Sequence, residues 1–150
     1  MNNIILLDIT LFLYFWQLAG CVHIIAHCVT ANLFNISSNF NIPWLRFVPF
    51  FGWWWNLIQP HKIMMCHYDN VALQEASPIV RTIIGFSGPY VQLIYVIAIG
   101  IYIFPKIAML CGGNIKFALL MCIWQFIYFV WYAIFYHYDK YSDFQLFIKI

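Results

Sequence analysis

Three long apolar runs dominate the chain, over 4–34, 83–104 and 117–136. A bilayer core is crossed by about 20 apolar helical residues, so each run predicts a membrane-spanning helix. At about 1.5 Å per residue the first run overshoots the hydrocarbon and must tilt or project from one side. Asp8, near its start, is the only fully charged residue in the three runs.

The polar stretches set the organisation between them. "NISSNFNIP", 35–43, reads as a helix stop and turn, because Asn, Ser and Pro favour non-helical backbone. The following segment, 43–58, is apolar but broken by Pro49 and Gly52 and carries Arg46. Its four tryptophans, Trp44 and Trp53 to Trp55, suit the headgroup level. It is expected to be re-entrant or interfacial, with a fourth span as the alternative. "PKIAMLCGGNIK" predicts a short connection, and "HYDKYSDFQLFIKI" an amphipathic tail. The expected architecture is all-α and integral to a membrane: about three transmembrane helices and the 43–58 segment, in a single transmembrane domain over 1–150. Three spans put the 35–82 loop and the tail on one side, with Arg46, Lys62, Arg81, Lys140 and Lys149. Lys106 and Lys116 lie opposite, so the charge bias favours a cytoplasmic loop and tail.

Composition strengthens the membrane reading. The chain is 65% hydrophobic and 8% charged, with a mean hydropathy of +0.82; a soluble domain is roughly half apolar and about a quarter charged. The lipid bilayer is therefore the first expected partner. The start lacks a basic region and a small-residue cleavage site, so the first run is expected to be retained. The net charge of +2 gives no footprint for nucleic acid. The five cysteines are scattered without a C-x-x-C pair. They read as small buried hydrophobes, and a disulfide framework is not expected.

Candidate chemistry concentrates in "CVHIIAHCV", 21–29. On a helix, Gly20, His23, His27 and Ala31 share one face. Ionisable residues inside membranes are rare and usually functional, and two imidazoles at i and i+4 can grip one tetrahedral metal ion. A packed, hydrogen-bonded histidine pair is the structural alternative. His61 and His67 belong to the polar loop and His137 to the end of the third run; nothing in their spacing selects them as ligands. The carboxylates are Asp8, Asp69, Glu75, Asp139 and Asp143. Asp8 is expected at the interface or as a helix cap, and the others as ordinary loop or interface charge.

In the second run, "FSGPYVQ" combines a helix-breaking Pro89, a Gly88 that permits close approach, and an intramembrane amide, Gln92. Beside a helix with two histidines, this pattern suggests a built cavity, or else a packing kink.

In order, "HIIAH" (23–27), "GPYVQ" (88–92) and "YSDFQ" with Asp143 resemble the site-2 protease family of intramembrane zinc metalloproteases. That family carries "HExxH", then "GPxxN", then an aspartate in an "LDG"-type motif. The resemblance implies a zinc ion held by His23, His27 and Asp143, with Gln92 near the active site as a substrate or oxyanion contact. It implies transmembrane segments of other membrane proteins as substrates or binding partners. Three positions depart from the pattern: Ile24 replaces the catalytic glutamate, Gln92 the asparagine, and Phe144 the glycine after the aspartate. Isoleucine cannot move a proton, and losing a general base costs ~10²–10⁴-fold. Glu75 or Asp139 would substitute only if the fold carried one to the metal. The expectation is a zinc-binding protein of this type, impaired or inactive as a peptidase. Alternatives are an active noncanonical metalloprotease, a haem-binding bundle using His23 or His27 with His137, a di-iron enzyme, for which five histidines are too few, and a structural bundle.

Overall fold

A computed structural model of the chain describes residues 2–41 and 65–135. The described part is mostly helical: α1 (Asn2–Leu33), strands β1 (Ser38–Asn41) and β2 (Met65–Tyr68), α2 (Asn70–Glu75), α3 (Pro78–Tyr95), a π-helical segment (Val96–Ile101), α4 (Phe104–Leu110) and α5 (Ile115–Phe135). The 43–58 segment and the amphipathic tail lie outside the described residues.

Among the described residues, two stretches stand out as long and apolar enough to cross a membrane, Ile4–Leu33 and Pro78–Leu110. The second starts earlier and runs further than the apolar pattern suggests. At its start, Ser77 accepts from Val80 N at 3.3 Å and Pro78 occupies the first turn, the two usual marks of a helix beginning. At its far end, Pro105 sits in the first turn of α4. "PKIAML" is thus helix rather than connection. The turn comes at Gly112, whose φ of 84° needs a residue without Cβ. Gly113 N bonds Ala108 O at 2.7 Å and Gly112 N bonds Met109 O at 3.0 Å, which closes the end as a Schellman motif.

The same motif ends α1. Asn35 takes φ 60°, Ile36 N bonds Ala31 O at 3.0 Å and Asn35 N bonds Asn32 O at 3.0 Å. Ile36 and Ala31 are then buried with Leu73 and Ile84 in a small cluster over this end of the bundle.

Two expectations need correction here. The described chain is not purely α: β1 and β2 pair antiparallel, with Ser38 opposite Tyr68 and Phe40 opposite Cys66. Chain leaving α1 is held extended because Ser38 N bonds Asn32 Oδ1 at 3.0 Å and Ser38 Oγ bonds Cys28 O at 2.8 Å. Extended backbone must pair its amides, and β2 supplies the partners. The cysteines, moreover, are not all buried hydrophobes. Cys28 near the end of α1 and Cys66 on β2 form a disulfide, with Cα atoms 6.0 Å apart. Their separation of 38 residues leaves no local spacing signal; the strand register brings them together.

The main core lies towards the other end. Phe12, Phe15 and Ala19 of α1 pack with Val96, Phe104, Ala108, Ala118 and Cys122. Phe15 stacks on Tyr95 at 5.3 Å and meets Phe104 at 5.1 Å. Its ring fills the space that a Cβ on Gly100 would need, 2.6 Å from Cζ. Asp8 is buried at this end, 2% exposed, and accepts from Asn114 N at 3.0 and 3.2 Å through its two oxygens. Asn114 in turn caps α5, accepting from Lys116 N at 2.9 Å. Asp8 is therefore a capping residue, though of α5 and not of its own helix, and it sits where the positive end of the helix dipole favours a carboxylate.

Only 33% and 28% of the two spanning windows is buried. Ile25, Val29, Leu33, Ile83, Ile94, Ile97 and Ile101 all point outward. So much exposed aliphatic surface on two long helices calls for an apolar environment.

Candidate metal centre

His23 and His27 lie one turn apart on the face of α1 that packs against α3. His27 is 1% exposed and His23 9%. Their rings meet edge to face, with centroids 4.7 Å apart and planes at 72°.

Each Nδ1 has an oxygen partner on α3. Nδ1 of His27 donates to the Ile84 carbonyl at 2.7 Å, and Nδ1 of His23 donates to Gln92 Oε1 at 2.8 Å. A carbonyl oxygen only accepts, so both rings carry the proton on Nδ1. The two Nε2 atoms face each other at 3.0 Å, a contact that needs either a shared proton or a cation between them. This is how metal-ligating imidazoles are usually held: the distal nitrogen tied to an oxygen, the proximal one directed at the ion. Two Zn–N bonds of about 2.0–2.1 Å at the tetrahedral angle would place the nitrogens about 3.3–3.4 Å apart. A zinc ion between them would thus require the pair to open by about 0.3–0.4 Å from its 3.0 Å separation.

The "FSGPYVQ" element builds the opposing wall. A Cβ on Gly88 would fall 2.5 Å from Cδ2 and 2.8 Å from Cε1 of His27, and closer still to Nε2. The close approach that Gly88 permits is thus made by the imidazole itself and not by a second backbone. Ser87 Oγ donates to the same Ile84 carbonyl at 2.7 Å, so that oxygen anchors His27 and Ser87 together. Pro89 lies within the helix one residue on and has no N–H to offer the preceding turn. Gln92 is partly buried and commits its amide oxygen to His23. Sequence reasoning missed the Ile84 carbonyl, since a backbone acceptor leaves no residue-type signature.

The remaining predicted positions separate clearly. Ile24 is partly buried beside the pair and brings no proton-transfer group. His67 is exposed on β2. Asp69 caps α2, accepting from Val71 N at 3.0 Å and Ala72 N at 3.2 Å. Glu75 is exposed at the end of α2, and Asp8 is engaged by Asn114. Asp143, Phe144, Asp139, His61 and His137 lie outside the described residues. Among the described residues, no group of three or more His, Cys, Asp or Glu side chains converges. Comparison with protein-family models, curated proteins and solved structures gives no match.

Proposed function

We propose that this chain is a multi-pass integral membrane protein, with α5 as a third span, that binds zinc between His23 and His27. One observation carries the reading: both Nδ1 atoms are committed to carbonyl oxygens of α3, which turns the two Nε2 atoms toward one another. The 21 residues of α5 are sufficient for a crossing. The third ligand in this reading is Asp143. The "HIIAH", "GPYVQ" and Asp143 order supports a site of site-2 protease design, and the packing of α1 on α3 at His27 and Gly88 is consistent with it. Ile24 supplies no general base, so the proposal is a protein impaired as a peptidase that engages transmembrane segments of partner proteins without efficient cleavage.

Zinc measured on detergent-purified wild type, His23→Ala and His27→Ala tests the metal. The expected result is near one equivalent in the wild type and loss in both variants. Equal, near-zero metal in all three sinks the proposal. Incubation with a model transmembrane substrate, with and without chelator, tests the second part; chelator-sensitive cleavage would show an active noncanonical protease instead.

A second reading has its own observation. The Nε2–Nε2 distance of 3.0 Å is a hydrogen-bond length, which suits a proton between the two rings in a purely structural pair. The same zinc measurement separates the two.

A further inference from the structure

We propose that Asn35 is an N-glycosylation acceptor, on an extracytoplasmic face formed by the β1–β2 end of the bundle. The proposal takes from the preceding reading only that α1 spans a membrane.

Two independent features at this end point the same way. The first is covalent. The Cys28–Cys66 disulfide ties the last turns of α1 to β2, and disulfides persist in oxidising compartments, not in the cytosol. The second is in the chain itself. Asn35-Ile36-Ser37 satisfies the N-x-[ST] acceptor pattern. Both Asn35 and Ser37 are exposed, and only the middle residue, Ile36, turns into the protein. Asn35 occupies the left-handed position that closes α1, exposed at the helix end. A glycan there would project away from the Ile36 cluster without disturbing it.

The geometry leaves room for the modification. α1 has 32 residues, about 48 Å of helix at 1.5 Å per residue, against a hydrocarbon core of about 30 Å. The excess lets the end of α1 stand clear of the hydrocarbon. The opposite end carries the Gly112 turn, with exposed Lys106 and Lys116 and an exposed free thiol, Cys111. This assignment puts those groups in the cytosol. It reverses the orientation drawn from the charge bias, which rests on five basic residues against two and competes with an oxidised cysteine pair.

The test is translation of the full chain into sealed rough microsomes. Alkaline extraction first establishes whether the chain is membrane-integrated, independently of orientation. Wild type should show one endoglycosidase-sensitive mobility step. Asn35→Gly should lose it while preserving the left-handed turn, Ser37→Ala should lose it, and Ser37→Thr should keep it. A membrane-impermeant maleimide added outside should label Cys111 without detergent, while Cys28 and Cys66 should react only after both permeabilisation and reduction. Absence of the glycan step overturns Asn35 as acceptor. Labelling of Cys111 only after permeabilisation, or free Cys28 and Cys66 thiols, overturns the placement of this face.

Discussion

The imidazole of His27 occupies the place where any residue other than glycine at position 88 would carry its Cβ. One helix thus supplies the imidazole and its neighbour supplies the space that seats it. Gly88→Ala should displace the His27 ring, break its bond to the Ile84 carbonyl, and cost about 1–3 kcal/mol through overpacking. Zinc binding should fall with it. Thermal unfolding in detergent and metal content read the two effects; an alanine variant with wild-type metal content would refute the arrangement.

Gln92 bonds the outer nitrogen of His23, so its loss should weaken the site without dismantling it. Gln92→Leu is expected to lower zinc affinity by ~10–100-fold, the usual effect of removing a ligand's orienting partner. Competition with a fluorescent zinc chelator measures this. An unchanged affinity would mean that His23 needs no anchor.

At the other end, Asp8 holds the amide of Asn114, the residue that caps α5. Asp8→Ala removes the carboxylate that accepts from Asn114 N in a part-buried, charge-assisted hydrogen bond, at a cost of about 1–3 kcal/mol. Asp8→Asn retains an acceptor oxygen and should lose less. Zinc content should stay at the wild-type level in both variants, because the histidine pair lies about four turns along α1. A loss of metal equal to that of His23→Ala would contradict the independence of the two ends.

The Cys28–Cys66 link closes a loop of 38 residues. Cys66→Ser, or reductant on the wild type, should destabilise the protein by about 2–4 kcal/mol. The effect should appear as a lower thermal midpoint. Non-reducing against reducing electrophoresis checks that the bond is present before the comparison is made.

Much of this was legible in the chain. Apolar length marked the long helices, and the i, i+4 spacing of His23 and His27 placed both rings on one face because helical geometry allows nothing else. Asn35 as a helix stop and "FSGPYVQ" as the partner element were also readable, since Asn and the Gly-Pro pair constrain backbone locally. Tertiary structure decided what those residues touch. The Ile84 carbonyl, the bond from His23 to Gln92, the reach of Asp8 to Asn114 and the Cys28–Cys66 bond all join positions 38 or more residues apart. Such pairings follow from how α1 packs against α3, α5 and the strand pair. Local sequence carries conformational preference over a few residues, whereas the register between packed helices is set by which side chains fit, as the His27 ring fits against Gly88.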